Sequence, residues 1–387
     1  NNGQSAKPAQ AFRTNAEAME ETTATLSAFA VGLAGGLVLG LAARLGRFCT
    51  LAAIEDSLFA HDHTRWRMWV LAMAVAMLGV FAAEFGGLIN PQKPHIIASS
   101  FNPLSTILGG LMFGVGMALV GTCGFGTIVR LGGGDLSSFL VFLVLGISAF
   151  MAASGPTALL HLWYLDPLAI RNELFADPRI HTVLAKLTGI GAMLVPPLIA
   201  AGLIAWVLAK REFRNRPGRL AWGVIVGLVV AFGWIGTGWL VFDEFDPQPI
   251  VSYTYIHPVG ASVMYAMTST SSQLSFGIGS VLGVLFGAFA GALIKKEWRW
   301  QTHDAAFEAK RQILGAFLMG TGGMYALGCT FGQGLSAVSL LAVSAPLALG
   351  SIWLGAWLGL LYLMEGSLSG LWRGVVPSRR SPKAPAE

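Results

Sequence analysis

Nine long apolar stretches constrain this chain more than any other feature of its sequence. A helix needs about 20 mostly apolar residues to cross a bilayer, and such stretches occur at 26–45, 68–88, 103–121, 136–153, 189–209, 220–240, 274–294, 312–328 and 345–364. Only 12% of the 387 residues are charged, against about 25% in soluble domains. The 49 glycines favour close helix packing in lipid. We therefore predict an all-α integral membrane protein, and no nucleic-acid partner.

The charged residues between these stretches predict the orientation of the chain. The loops at 210–216 and 295–299 are strongly basic, and cytoplasmic loops of membrane proteins carry an excess of Lys and Arg. Nine spans then place the N-terminus outside, the segment 154–188 outside and the tail 366–387 in the cytoplasm. Residues 1–25 form a polar or amphipathic N-terminal segment without a signal-peptide pattern, and residues 8–24 within it are interpreted as either a surface helix or a frayed tail.

An apolar stretch that ends in a glycine-flanked cysteine occurs twice. Residues 109–127 align with residues 315–334, and Cys123 then falls on Cys329 at an offset of 206 residues. The two copies enter the membrane from opposite sides in the predicted topology, which makes them inverted repeats. Transporters commonly have this architecture, with the substrate near mid-membrane at the repeat interface. The predicted units are a first repeat 26–153, an extracellular segment and linking span 154–219, and a second repeat 220–365.

Glycine-rich breaks follow both repeated spans. The segment 121–134 carries six glycines and the segment 328–334 carries three. Non-helical backbone at membrane depth persists only where protein or a water-lined cavity satisfies its polar groups. Each break is therefore predicted to be a re-entrant loop, followed by a short helix such as 336–342.

A second pair of short inserted helices is predicted at 50–60 and 258–273. The first follows Cys49 directly. In the second half, the position that matches Cys49 is expected near 236–238, where the sequence is Gly-Thr-Gly. The fourth thiol that the symmetry suggests is therefore missing.

The chain contains three cysteines, Cys49, Cys123 and Cys329, each after an apolar stretch and beside glycine or threonine. Their odd number and apolar surroundings disfavour disulfides. A buried cysteine is often only a small hydrophobe, but the repeat-equivalent placement favours a narrow path lined with sulfur. The nearby Arg44 and Arg47, together with the lack of Met or His clusters that Cu(I) would need, favour an anion with a soft sulfur end.

Other polar groups leave alternatives open. Glu84 lies in a predicted span, where it either pairs with a basic side chain, lines a cavity or sits at the interface. The sequence His61-Asp62-His63 either binds a metal or forms a solvated loop. No nucleotide-binding or catalytic motif is present, so the chain is predicted to be no enzyme and to need no cofactor.

The motifs at 46–50, 121–127 and 328–334 resemble those of the YeeE/YedE family, thiosulfate uptake transporters of the bacterial inner membrane. The resemblance covers about residues 26–365. It implies an hourglass-shaped monomer whose three cysteines contact thiosulfate in turn through S–H hydrogen bonds, and a TusA-type cytoplasmic sulfur carrier as a partner. The candidate substrate-binding residues are Cys49, Cys123, Cys329, Thr50, Thr122, Gly121, Gly124, Gly328, Thr330 and Gln333.

Three rival functions remain open at this point. The first is a membrane sulfurtransferase or thiol redox protein that forms a persulfide on one cysteine. The second is a transporter of a related sulfur or selenium anion, and the third is a structural membrane subunit with inert cysteines. Thiosulfate and the lipid bilayer are the partners expected under the leading interpretation.

Overall fold

The computed structural model describes residues 8–89, 102–170, 179–189, 192–240, 250–270, 272–301 and 306–365, and these residues are mainly helical. The helices are α1 (Pro8–Leu45), α2 (Thr50–Glu55), α3 (Thr64–Phe85), α4 (Pro103–Val120), α5 (Gly124–Gly132), α6 (Ser137–Ser154), α7 (Pro156–Leu160), α8 (Ile180–Thr188), α9 (Val195–Leu208), α10 (Arg211–Arg214), α11 (Pro217–Ile235), α12 (Ile256–Thr268), α13 (Phe276–Ile294), α14 (Ala306–Tyr325) and α15 (Ser344–Glu365). Short π-helical segments occur at Asp56–Ala60, His161–Leu165, Gly236–Leu240 and Gly332–Ala337, and 3-10 turns at Asp166–Leu168 and Ala192–Leu194.

Each of the nine predicted spans contains a helix, and the all-α membrane fold is confirmed. Seven segments among the described residues are long and apolar enough to cross a membrane: Thr23–Leu45, Thr64–Phe85, Pro103–Gly132, Ser137–Ser154, Pro217–Trp239, Phe276–Ile294 and Ser344–Met364. The remaining two predicted spans coincide with α9, which is apolar but only 14 residues long, and with α14, whose first turn is polar.

Helix α1 begins at Pro8, so the predicted N-terminal segment is helical from that residue and continues into the first span without a break. Its residues 1–7 and the predicted tail 366–387 lie outside the described residues. The boundaries of the three predicted units stay a prediction.

The two halves repeat one order of elements: helix, break, short helix, helix. Helices α4, α5 and α6 recur about 206 residues later as α14, the short helix that begins at Thr330, and α15. In the same way α2 and α3 recur as α12 and α13. The repeat seen in the sequence therefore extends well beyond the aligned cysteines.

The prediction that the counterpart of Cys49 lies near 236–238 is wrong. Cys49 directly precedes α2, and the residue 206 positions later, Tyr255, directly precedes α12. The segment Gly236–Leu240 instead extends α11 as a π-helical turn. Counting from the end of the apolar stretch gave the wrong position, because the connection from α11 to α12 is much longer than that from α1 to α2.

The short helix after Cys329 also begins earlier than predicted. It starts at Thr330 rather than near residue 336, and its middle is the π-helical segment Gly332–Ala337. The Gly332 N–H donates to Cys329 Sγ at 3.4 Å, so the cysteine itself satisfies a free backbone donor of the first turn. The predicted helix at 258–273 is α12, which begins two residues earlier and ends at Thr268.

Close backbone contacts lock the two halves together. Helix α1 of the first half packs along α13 of the second, and α4 packs against both α14 and α15. A Cβ atom on Gly36 would overlap the carbonyl oxygen of Ser280, and one on Gly283 would overlap that of Leu33. Only glycine permits this approach, which is the packing that small residues support between membrane helices.

Candidate functional site

All three thiols lie at the starts of short helices, and two of them cap their helix. Cys123 directly precedes α5, and its Sγ accepts a hydrogen bond from the Gly126 N–H at 3.5 Å. Cys329 has the same relation to Gly332, as described above. This spacing of three residues is that of a helix N-cap, where a side chain satisfies an otherwise free N–H group. Each sulfur is thereby fixed at the positive end of a helix.

The fold brings all three cysteines to one place. Cys123 lies within electrostatic reach of both Cys49 and Cys329, and all three thiols are free. Thr50 donates its hydroxyl to Thr330 Oγ1 at 3.3 Å, a contact between the two halves. Both hydroxyls adjoin the Cys123 thiol. Cysteines from distant parts of the sequence thus share one small polar cluster with two threonines.

Aromatic rings close the centre of the protein around these thiols. The rings of Phe125 and Phe331 lie 4.9 Å apart, and the Tyr255 ring lies 5.0 Å from Phe125 and 5.4 Å from Phe331. We call these three rings the aromatic septum. Cys329 beside it is 0% exposed and Cys123 is 2% exposed. Both thiols thus have little or no contact with solvent in the part of the chain that the structure describes.

A cavity of about 360 Å³ reaches the thiols from one end of the protein, and we call it the basic cavity. Cys49, Cys123 and Thr122 line it. Its charged lining residues are Arg44, Arg47, Arg65, Arg130, Lys295 and Glu297. Five cations against one carboxylate give this cavity a positive potential, which favours anions.

A second cavity of about 440 Å³ lies on the other side of the septum. Thr254 and Gly328 line it, and Thr254 Oγ1 lies 4.0 Å from Cys329 Sγ. The described residues that line it include no Asp, Glu, Lys or Arg, so we call it the uncharged cavity.

The two cavities open at opposite ends of one membrane-spanning helix. Ala28 of α1 lines the uncharged cavity and Ala43 of α1 lines the basic cavity, roughly 22 Å further along the helix axis. The two glycine breaks also face opposite cavities, since Thr122 lines the basic cavity and Gly328 the uncharged one. This is the arrangement expected of inverted copies.

Comparison with known proteins places this architecture in a family. A family model described as "Sulphur transport" matches residues 45–358, which is most of the chain. The chain belongs to this sulphur-transport family.

Two relatives within the sulphur-transport family carry the printed name "Thiosulfate transporter TsuA". The protein of Escherichia coli (strain K12) is 28% identical over 372 residues, which cover 92% of this chain and 97% of the relative. The protein of Spirochaeta thermophila is 27% identical over 337 residues, which cover 84% of this chain and 96% of the relative.

The remaining predicted site residues of this family member shape the breaks. Gly121 ends α4 with φ +78°, a left-handed conformation that glycine adopts without strain. Arg130 donates to the Gly121 carbonyl at 2.6 Å. Gly124 is the first residue of α5 and is buried.

In the second half of this sulphur-transport chain, Gln333 is fully buried beside the break. Its Nε2 donates to the carbonyls of Ala326 at 2.9 Å and Leu327 at 3.1 Å. Its amide group thus holds the backbone of the break, a role that its position in a cysteine motif did not reveal.

The other polar candidates lie apart from the thiols. Glu84 forms an ion pair with Arg179 at 3.6 Å, so the pairing alternative holds. Among the described residues no group of three His, Cys, Asp or Glu could hold a metal. Asp62 instead accepts hydrogen bonds from the N–H and hydroxyl of Thr64 at the start of α3, and the hydroxyl contact lowers the pKa of Asp62.

Sequence reasoning missed Tyr255, Phe125 and Phe331, although a usable signal was present. Phe125 and Phe331 are separated by the same 206 residues as the repeated cysteines. Applying that offset to Cys49 yields Tyr255. The repeat thus identifies the septum once it is read residue by residue rather than from the cysteines alone.

Proposed function

We propose that this protein imports thiosulfate across the bacterial inner membrane, past its three cysteine thiols. The observation that carries the proposal is the convergence of three free thiols between two cavities that open at opposite ends of α1. Membership of the sulphur-transport family and the names of the two relatives support the choice of substrate. The predicted substrate-binding residues keep that role in the proposal, with Gln333 acting through the backbone it holds.

The chemistry of the substrate suits this lining. Thiosulfate is a dianion with a terminal sulfur and three oxygens. A thiol is a weak donor through S–H and a weak acceptor through sulfur, and with an ordinary pKa of about 8.5 it is protonated at pH 7. The thiols therefore donate to the soft end of the anion, while Thr50 and Thr330 offer hydroxyl donors to its oxygens. The anion passes by hydrogen bonding, and no covalent bond forms.

We propose a direction of transport from the charges. If the basic loops are cytoplasmic, the basic cavity opens to the cytoplasm, the N-terminus lies outside and the C-terminus inside. Thiosulfate then enters the uncharged cavity, passes Cys329, Cys123 and Cys49 in that order, and reaches the basic cavity. A TusA-type sulfur carrier is the proposed recipient on the cytoplasmic side. A green fluorescent protein fused after the last residue should fluoresce, because that reporter folds in the cytoplasm; a dark fusion with normal protein levels contradicts the orientation.

Uptake of labelled thiosulfate into proteoliposomes tests the proposed activity. We expect wild-type protein to take up thiosulfate, with excess unlabelled sulfate competing more weakly than thiosulfate. Cys123→Ala and Cys329→Ala should reduce uptake to the level of empty liposomes. Ser148→Ala is a matched control, because it also removes one buried side-chain atom; the Ser148 hydroxyl donates to the Leu145 carbonyl at 3.0 Å and more weakly to the Ala316 carbonyl at 3.4 Å. Normal uptake by both cysteine variants would contradict the thiol path.

The same samples separate transport from sulfur transfer. In the rival reaction a cysteine thiol and thiosulfate give a cysteine persulfide and sulfite, so that the S–S bond of thiosulfate breaks and a new one forms on the protein. Mass spectrometry of intact protein after turnover should show no added sulfur. A stoichiometric added sulfur on Cys49, Cys123 or Cys329, with sulfite released, would replace the transporter by a sulfurtransferase.

A further inference from the structure

Tyr255 occupies the position where the internal repeat would place a fourth cysteine. It stands directly before α12 as Cys49 stands before α2, and it lies 206 residues after Cys49. Three of the four equivalent positions thus carry a thiol, and the fourth carries a phenol. Both side chains end in a group that can donate a hydrogen bond.

The hydroxyl of Tyr255 has no hydrogen-bond partner among the described residues, although the side chain is 0% exposed. Buried hydroxyls are normally paired, and an unpaired one in a native structure calls for an explanation. Tyr253, two residues earlier, shows the normal case. It is also 0% exposed, and its hydroxyl donates to the Val31 carbonyl at 3.1 Å.

The unpaired hydroxyl lies among the rings and thiols at the centre of the proposed path. The ring belongs to the aromatic septum, and the hydroxyl is within electrostatic reach of the thiols of both Cys123 and Cys329. Thr254 of the uncharged cavity immediately precedes it in the chain, and Phe125 of the basic cavity packs against its ring. An anion that moves from Cys329 to Cys123 has to pass this hydroxyl.

We propose that the Tyr255 hydroxyl is a fourth substrate contact, which donates to an oxygen of thiosulfate during its passage between Cys329 and Cys123. The inference rests on the proposed transport of thiosulfate. A phenol is a neutral donor at pH 7, because its ordinary pKa is about 10, and it suits the hard oxygens that thiols bind weakly. The thiols thus contact the sulfur end of the anion while Tyr255 contacts its oxygen end, which fixes the orientation of thiosulfate in the septum.

Tyr255→Phe tests the contact, because it removes the hydroxyl and keeps the ring in the septum. Uptake kinetics in proteoliposomes should show a KM for thiosulfate raised about tenfold, as expected for the loss of one hydrogen bond to a charged group. The thermal stabilisation of the detergent-solubilised protein by added thiosulfate should shrink in parallel. Without thiosulfate, Tyr255→Phe should melt no lower than wild type, since it leaves no partner unpaired.

Tyr253→Phe is the matched control. It should melt at a lower temperature than wild type, because the Val31 carbonyl loses its donor, but its KM for thiosulfate should stay within about twofold of wild type. A Tyr255→Phe protein with wild-type KM and wild-type stabilisation by thiosulfate overturns the inference and leaves the proposed function standing. A wild-type protein that neither takes up thiosulfate nor is stabilised by it overturns both.

Discussion

The two halves of the molecule share a backbone plan but present different chemistry to the centre. The first half places Cys49 and Cys123 before its short helices, and the second half places Tyr255 and Cys329 there. The break of the first half faces the basic cavity, whereas the break of the second half faces the uncharged one. The repeated fold thus determines where a donor group stands, and the local sequence determines which donor it is. An asymmetric path can arise in this way from a symmetric scaffold.

The two helix pairs that join the halves also differ, in how closely their backbones approach each other. Helices α1 and α13 touch backbone to backbone at six glycines, whereas their repeat equivalents α11 and α3 come as close at one, Gly227. A Cβ on Gly283 of α13 would overlap the backbone of α1, but one on Gly223 of α11 would lie 3.1 Å from the Met68 carbonyl oxygen of α3. These two glycines therefore differ in their tolerance to an added methyl group.

The largest effect that we expect comes from adding that methyl group. Gly283→Ala should lower the free energy of unfolding by about 3 kcal/mol or more, because two backbones would have to separate. Gly223→Ala should stay within about 1 kcal/mol of wild type, since the small strain is offset by the better helix propensity of alanine. The yield of monodisperse protein after heating in detergent gives the melting temperature of each variant. Equal melting temperatures would contradict the difference between the two helix pairs.

A smaller effect should separate the two breaks. Gln333→Leu leaves the carbonyls of Ala326 and Leu327 without their buried donor and should cost about 2 kcal/mol of stability. Arg130→Gln should cost less than about 0.5 kcal/mol, because Arg130 is exposed and water can replace its bond to Gly121. The same thermal measurement applies. If Arg130→Gln proved the more damaging change, the breaks would be held by charge rather than by buried hydrogen bonds.

The smallest expected effect concerns the two cysteines of the first half. Cys49 is half-buried at the wall of the basic cavity, whereas Cys123 is buried beneath it. Cys49→Ala should lower thiosulfate uptake only several-fold, because water and the surrounding arginines still solvate the anion there. It should leave the melting temperature unchanged. Uptake by Cys49→Ala as low as that of Cys123→Ala would place the tightest step at Cys49 instead.

Much of this fold could be predicted from the sequence, because hydrophobic length and glycine content determine it directly. Every predicted span contains a helix, and the breaks beside Cys123 and Cys329 lie where glycine accumulates. The position of Tyr255 could not be found in the same way. Tyrosine in an apolar segment gives no local signal, and the long connection before α12 hides the symmetry. The role of Gln333 was also hidden, because only tertiary structure reveals which carbonyls lack a donor.

The glycine contacts between α1 and α13 limit how this protein can move. A carrier that rocks one half against the other would have to pull apart backbones that touch from Phe276 to Gly287 of α13. If those contacts stay closed, a passage between the two cavities has to come from rotation of the rings in the aromatic septum. The rate of transport should then depend on the rotation of these rings rather than on the slower reorientation of domains.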